Sequence, residues 1–338
     1  MHQIPNYIFC CDWGTSSLRL RLIDRKTLQV VGQTHTDEGI GRLFATWSAR
    51  KSGGETRQEH LLRALNRSIA AVQQQVGFSV DTIPMVISGM ASSSIGLREI
   101  PYAQLPFSTA GKDISAEYLA ATPGFTHDIY LISGVKSDDD VIRGEEIEVI
   151  GLAVMGELDA PQFAGEHILV LPGTHSKHIL IKGKQIVSFK TFMTGEFFSL
   201  LTEHSILKDS VASADSAGLS HPANREAFDQ GVQTAVSNDL LHACFLARTN
   251  NLFGKFTKAE NAFFLSGLLI GYELRDLAKG PKASHLVICC GEKLLQQYRY
   301  ACQGLGYDQV TYVPSEILEQ AVVMGQIEVF NRFNKNEF

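Results

Sequence analysis

The sequence predicts an α/β fold built as two related domains, and three observations carry that expectation. Short apolar strand segments alternate with segments of helical period along the whole chain. A strand, a Gly-Thr turn and a return strand occur twice, at Gly14-Thr15 and again about half a chain later at Gly173-Thr174. The length, 338 residues, suits two domains at roughly 100–200 residues each.

Taken in order, residues 7–11 form an apolar run that ends in Asp12-Trp13-Gly14-Thr15-Ser16-Ser17. Leu18, Leu20 and Leu22 then alternate with Arg19 and Arg21, the period-two pattern of a hairpin with one buried face. A third strand is expected over 29–33. Residues 59–76 read as an amphipathic helix with Leu61, Leu62, Leu65, Ile69 and Val72 on one stripe. Strands are expected at 84–88 and 129–133, each leading into glycine. The acidic run Asp138-Asp139-Asp140 before Val141, Ile142 and Arg143 reads as a helix N-terminus, where the dipole favours carboxylates. The stretch 157–166, with Pro161 and Gly165, separates the halves and gives domains 1–160 and 161–338, with the last helix free to pack back on the first. In the second half the hairpin returns as Ile168-Leu169-Val170-Leu171, Pro172-Gly173-Thr174-His175-Ser176 and Ile179-Leu180-Ile181. A strand over 185–189, a helix over 223–247 and a strand over 286–290 complete the pattern. Without a low-complexity linker, the halves are expected to pack and hinge.

Composition removes several function classes. The formal net charge is −6, which leaves no basic excess for a phosphate-neutralising surface, so nucleic acid is not an expected partner. The longest apolar-rich stretch, 263–272, is interrupted by Ser266 and two glycines and is far shorter than the roughly 20 residues of a bilayer span. No basic leader with a cleavage site precedes Asp12. The six cysteines lie inside apolar runs rather than at metal-ligand or disulfide spacing, which points to buried, reduced thiols in a cytoplasmic protein.

The Walker and dinucleotide signatures are absent, as are the zinc-protease and nucleophile-elbow motifs. What remains is the duplicated turn, whose backbone N–H groups and hydroxyls suit phosphate oxygens. Asp12, ending an apolar strand, could hold Mg²⁺ through its water shell or could simply cap the turn. In the acidic run, a pre-positioned carboxylate could accept the proton of an attacking hydroxyl; a solvated cap is the alternative. Arg98 and Arg143 could each grip a carboxylate bidentately or serve as surface ion-pair partners.

With these residues in view the chain resembles the 2-dehydro-3-deoxygalactonokinase family, within the sugar kinase, heat-shock-70 and actin superfamily. The resemblance is carried by Asp12-Trp13-Gly14-Thr15, by Leu171 to Lys177, by Val141-Ile142-Arg143-Gly144-Glu145-Glu146 and by Met193-Thr194-Gly195-Glu196-Phe197-Phe198. Ser88 to Ser92, Glu99-Ile100-Pro101-Tyr102 and Leu265 to Gly271 support it, and it runs from about residue 8 to about residue 325. It implies two actin-like (ribonuclease H-like) domains, each a mixed sheet flanked by helices, with a cleft between. It implies ATP- and Mg²⁺-dependent phosphorylation of 2-dehydro-3-deoxy-D-galactonate on its 6-hydroxyl, in galactonate catabolism.

By this resemblance Gly14, Thr15 and Ser16 form one phosphate loop and Gly173, Thr174 and His175 the other, with Gly195 beside them. Asp12 is the magnesium-associated carboxylate, Asp140 the base and Asp139 its nearest rival. Gly291 and Glu292 stand at the adenosine motif, where Cys290 replaces an expected glycine. Arg98, Glu99, Tyr102 and Arg143 are the substrate candidates, the sugar acid lying on the first domain and the nucleotide on the second. Partners are then a small sugar acid and a nucleotide, with room for a homodimer. A kinase of another sugar or sugar acid, and a non-catalytic ATP-binding relative, both stay open.

Overall fold

The computed structural model describes residues 6–50, 54–212, 218–275, 277 and 285–335. They divide into two units. The first comprises the chain up to Asp159, Lys184–Ile186 and everything from Glu319; the second comprises Ala160–Gly183 and Val187–Leu318.

In the first unit, strands β1 (Tyr7–Trp13), β2 (Leu18–Asp24) and β3 (Val30–Thr36) are followed by helices α1 (Ile40–Ala49) and α2 (Arg57–Gln73). Strand β4 (Met85–Gly89) comes next, then the short β5 (Ala103–Gln104) and β6 (Phe107–Ser108). Strands β7 (Ala116–Leu119), β8 (Ile129–Ile132), β9 (Val135–Lys136) and β10 (Val141–Ile142) lead into α3 (Glu145–Val154). The sheet order is β3-β2-β1-β4-β8-β7. Strands β1, β2 and β3 pair antiparallel, whereas β4 and β8 join parallel to β1 and to each other. Alternation decides the faces: Leu18, Leu20 and Leu22 are wholly buried and pack with Phe9, Trp13, Leu61, Leu65 and Val72. Helix α2 starts at Thr56, which forms a reciprocal capping box with Glu59, an arrangement worth about 1 kcal/mol.

The second unit repeats the design. Strands β11 (Glu166–Leu171), β12 (Ser176–Lys182) and β13 (Gln185–Phe192) precede α4 (Thr194–His204), α5 (Pro222–Ser237), α6 (Leu240–Leu252) and α7 (Lys258–Arg275). Strand β14 (Leu286–Cys289), α8 (Glu292–Gly304) and β15 (Val310–Val313) follow. Its strands run β15-β14-β11-β12-β13, again antiparallel from β11 to β12 and parallel from β11 to β14 and β15. The fold is therefore α/β with one sheet order used twice, as the actin-like resemblance implies.

The final helix, α9 (Ser315–Lys335), counts with the first unit from Glu319 onward. It lies directly on α3, where a methyl group on Gly151 would fall 1.7 Å from the Ala321 carbonyl oxygen and one on Gly325 would fall 2.2 Å from that of Ile147. The Gln326 amide donates to the Cys11 carbonyl and to Ser88 Oγ, both at 2.8 Å.

Two expectations change. The single helix over 223–247 is two helices, because Asn238 is extended and Asp239 opens α6; Ser237-Asn238-Asp239 are residues that favour caps over helix interiors. The acidic run does not open a helix. Ser137 to Asp140 form the tight turn between β9 and β10, with the Ser137 hydroxyl accepting from the backbone N–H of Asp139 and Asp140, and α3 begins only at Glu145. Three acidic residues behind a serine bond locally and make a turn at no cost to any helix. The six cysteines are buried free thiols. Among the described residues no helix is long and apolar enough to cross a membrane.

Candidate active site

In the first unit the β1–β2 turn is closed by the Gly14 N–H donating to the Ser17 carbonyl at 2.9 Å. The start of α1 anchors it: Ile40 and Gly41 donate to the carbonyls of Gly14 and Thr15, each at 3.0 Å. That approach requires glycine, since a Cβ on Gly39 would lie 2.2 Å from the Thr15 carbonyl oxygen. Thr15 and Ser16 are left exposed and line an open recess with Asp37, Gly41 and Arg42. Arg42 is a cation beside the turn that the motif search did not reach.

Asp12 sits at the end of β1, opposite Arg19 in the register, and its carboxylate meets that guanidinium at 3.1 Å. Burial raises the Asp12 pKa and the neighbouring Glu145 adds to the rise, while Arg19 opposes it. The first turns of α3 bring further carboxylates to the same region. Glu145 accepts from the Arg143 N–H at 2.8 Å, and Glu146 accepts from the Gly144 N–H at 2.8 and 3.0 Å. Burial, reinforced by Glu145, pushes Glu146 up to about 8. Glu148 is raised further by burial, Glu145 and Asp12. Sequence reasoning missed Glu145 and Glu148 as neighbours of Asp12, because the first half of the motif looked like the helix start. Asp140 instead accepts from its own neighbour Val141 at 2.7 Å, and Asp139 is exposed on the same turn.

The two arginine candidates part company. Arg98 is exposed and ion-paired with Glu117, and Glu99 beside it is exposed. Arg143 stacks on the Tyr102 ring at 4.3 Å and donates through Nη1 to the buried Ser92 hydroxyl. Ser92 belongs to the one-turn segment after β4, which Gly89 starts with φ 90°, and a Cβ there would strike the Trp13 carbonyl at 2.7 Å. Arg143 and Tyr102 are therefore held close to the ends of β1 and β4.

In the second unit the β11–β12 turn is anchored in the same manner by α4. Glu196 donates its N–H to the Thr174 carbonyl at 3.0 Å, and a Cβ on Gly195 would fall 2.7 Å from the Gly173 carbonyl oxygen. His175 and Glu196 meet at 2.5 Å, and the Lys177 ammonium donates to the His175 carbonyl at 2.9 Å. Beside this turn opens a cavity of about 590 Å³ whose wall includes Gly173, Thr194, Gly195, Phe198, Ser266 and Tyr298. Leu294, Gln297 and Tyr298 are the α8 residues that face it. Gly291 caps α8 and Glu292 is its first residue, both exposed and one turn away from that wall. Cys290 is buried, and a Cβ on Gly291 would meet nothing within 4 Å.

Most of the chain matches a kinase family. The family model described as 2-keto-3-deoxy-galactonokinase matches residues 12–326. The chain is 32% identical over 307 residues to a probable 2-dehydro-3-deoxygalactonokinase of Rhizobium meliloti (strain 1021), covering 89% of this chain and 90% of that one. It is 31% identical over 280 residues to the 2-dehydro-3-deoxygalactonokinase of Escherichia coli (strain K12), covering 79% and 87%. The crystal structure of a 2-dehydro-3-deoxygalactonokinase-like protein from Sinorhizobium meliloti superposes with a TM-score of 0.73 at 28% identity, covering 96% of this chain and 99% of that chain.

Proposed function

Because the chain belongs to the 2-keto-3-deoxy-galactonokinase family, we propose a division of labour by which its residues transfer the γ-phosphoryl group of ATP to the 6-hydroxyl of 2-dehydro-3-deoxy-D-galactonate. The observation that carries the proposal is the pair of Gly-Thr turns, each fixed to the start of a helix by a glycine that admits no side chain. Phosphoryl transfer asks a protein mainly for positioning and charge stabilisation, and rigid turns that present N–H groups supply both.

In this reading the cavity beside Gly173 and Gly195 takes the nucleotide. Its apolar wall suits a base, while Thr194 and the backbone of the β11–β12 turn receive phosphate oxygens together with His175. Gly14, Thr15 and Ser16 are the proposed phosphate-binding residues of the first unit, with Arg42 as a nearby cation. Gly291 and Glu292 approach the adenosine from the start of α8.

The sugar acid rests on the first unit. Arg143 grips its carboxylate, since stacking on Tyr102 and bonding to Ser92 fix the guanidinium plane. Arg98 and Glu99 contribute at the rim. Asp140 accepts the hydroxyl proton, with Asp139 next to it; Glu145, which lies beside Asp12, is the carboxylate to test if neither does. Asp12 suits Mg²⁺, an ion that takes oxygen ligands and keeps much of its water, and Glu145 and Glu148 make its surroundings anionic. Among the described residues no three metal-ligating side chains converge, so Asp12 would share the ion with phosphates and water. An Mg²⁺ ion held there would supply charge neutralisation for the transferring phosphoryl group. An enzyme supplied with ATP in this way works in the cytoplasm.

The test is ADP formation against a panel of 2-keto-3-deoxy sugar acids and plain hexoses. A preference for the sugar acids, lost in Arg143→Ala and retained in Arg98→Ala, is expected. Equal turnover of glucose would overturn the sugar-acid assignment and leave a kinase of another sugar.

A further inference from the structure

Glu273 lies in α7, near the C-terminal end of the otherwise apolar run that begins at Phe263, and only 2% of its surface is exposed. A carboxylate is retained at such a depth only when donors surround it. Here they come from three separate elements. His178 of β12 meets Oε1 at 3.0 Å, the Tyr298 hydroxyl of α8 donates to Oε2 at 2.8 Å, and the hydroxyl of Thr194, the first residue of α4, donates to the same oxygen. The network extends one step further. Tyr298 Oη lies 3.1 Å from Ser176 Oγ, which in turn accepts from the Gly173 N–H at 3.3 Å. Ser176, His178 and Tyr298 are all buried.

Three ends of this network emerge in the same place: Gly173, Thr194 and Tyr298 all line the 590 Å³ cavity. Helix α4 also starts without a side-chain cap, and its Glu196 N–H is taken up by the Thr174 carbonyl at 3.0 Å, which ties the helix start to the β11–β12 turn. We propose that Glu273 is a positioning residue for nucleotide binding, its buried carboxylate fixing the β11–β12 turn, the start of α4 and the α8 wall as one preformed seat for the triphosphate and its nucleoside. The inference rests on the reading that this cavity takes the nucleotide. A seat held from behind by one acid needs no reordering when the ligand arrives, and that saving appears as affinity. Burial and the adjacent Glu273 carboxylate push the Tyr298 hydroxyl well above the ordinary phenol range, so it remains a donor throughout the working pH range.

The experiment measures ADP binding by calorimetric titration, together with KM for ATP and for the sugar acid, in the full-length wild type, Glu273→Gln, Tyr298→Phe and Thr194→Val. Glu273→Gln should weaken ADP binding and raise the ATP KM about tenfold or more, with the sugar-acid KM within about twofold of wild type. Thr194→Val and Tyr298→Phe should give smaller losses, and combining either with Glu273→Gln should cost less than the sum of the two single losses, the mark of a shared network. If Glu273→Gln does not fold, the two single-arm variants decide the matter through the same split. Unchanged ADP affinity in folded variants, or equal increases in both KM values, would overturn the role of Glu273. A wild type that binds no ADP would instead overturn the nucleotide reading beneath it.

Discussion

The two Gly-Thr hairpins come from the same plan and differ in two respects that matter for chemistry. Between β1 and β2 Asp12 pairs with Arg19, enclosing six residues, 13–18. Between β11 and β12 Leu171 pairs with Lys177, enclosing five, 172–176, so the second hairpin is one residue shorter between the equivalent pairs. With that deletion placed in the turn, Asp12 and Arg19 correspond to Leu171 and Lys177. The first hairpin thus carries an acid and a base facing each other at 3.1 Å. The second carries an apolar residue opposite a lysine whose ammonium leans onto the turn itself, at the His175 carbonyl. The two hairpins thus differ at one strand position, Asp12 in the first and Leu171 in the second, each opposite a cationic side chain. Asp12, Asp140, Glu145 and Glu148 all lie in the first unit, which is where the proposed carboxylate chemistry would sit.

The sharpest way to break this comparison is to remove the acid. Asp12→Asn and Asp140→Asn should each lower turnover by on the order of 10²–10⁴-fold with nucleotide affinity nearly kept, whereas Leu171→Met should leave turnover within about threefold. Near-normal turnover in Asp140→Asn would transfer the proton-accepting role to another carboxylate, Glu145 first. Next in size are the anchoring glycines. Gly39→Val and Gly195→Val force each turn off its helix, and displacement of about 1 Å should cost on the order of 10²-fold in kcat/KM while circular dichroism stays native.

The signature glycines themselves sharpen the picture. A Cβ on Gly14 would meet only the Ser17 carbonyl, at an ordinary 3.7 Å, and one on Gly173 would meet nothing within 4 Å. The protein's own packing does not demand glycine at either position, which fits the proposed close approach of a ligand there. Gly14→Ala and Gly173→Ala should therefore raise the ATP KM several-fold with no fall in melting temperature. A fall in melting temperature without a change in KM would reverse that reasoning.

The smallest expected effect is on pH dependence. Glu146 is fully buried, and burial, reinforced by Glu145, pushes its carboxyl up from its ordinary 4.5 to about 8. Such a group binds its proton more tightly when folded, so it destabilises progressively as pH rises from about 4.5 to about 8. Melting curves of wild type and Glu146→Gln should diverge across that window, the wild type losing more, and parallel curves would show that Glu146 is not the cause.

Much of this was legible in the sequence because periodicity and turn chemistry are local. The β1–β2 and β11–β12 hairpins, the α2 stripe from Leu61 to Val72 and the strands at 85–89, 129–132 and 286–289 follow from alternation and from glycine placement. The break between α5 and α6 was hidden because the apolar stripe continues past Asn238-Asp239 and outweighs two capping residues. The β9–β10 turn was hidden because an acidic run before Val141 and Ile142 looks the same whether it caps a helix or closes a hairpin. Arg143 became distinguishable from Arg98 only through tertiary partners, Ser92 and Tyr102 for one and Glu117 for the other. Glu273 did leave a trace, the one charge between Phe263 and Leu274 of α7, but its partners at His178, Thr194 and Tyr298 are scattered along the chain and no spacing announces them.

The discontinuous first unit has a bearing on how the polypeptide is made. Gln326 supplies hydrogen bonds to Cys11 and Ser88, and α9 closes over α3 through Gly151 and Gly325. A ribosome must therefore synthesise the entire second unit before the amino-terminal sheet receives its last cover. Until then Asp12 and its neighbours stand on a sheet that still lacks its carboxy-terminal helix.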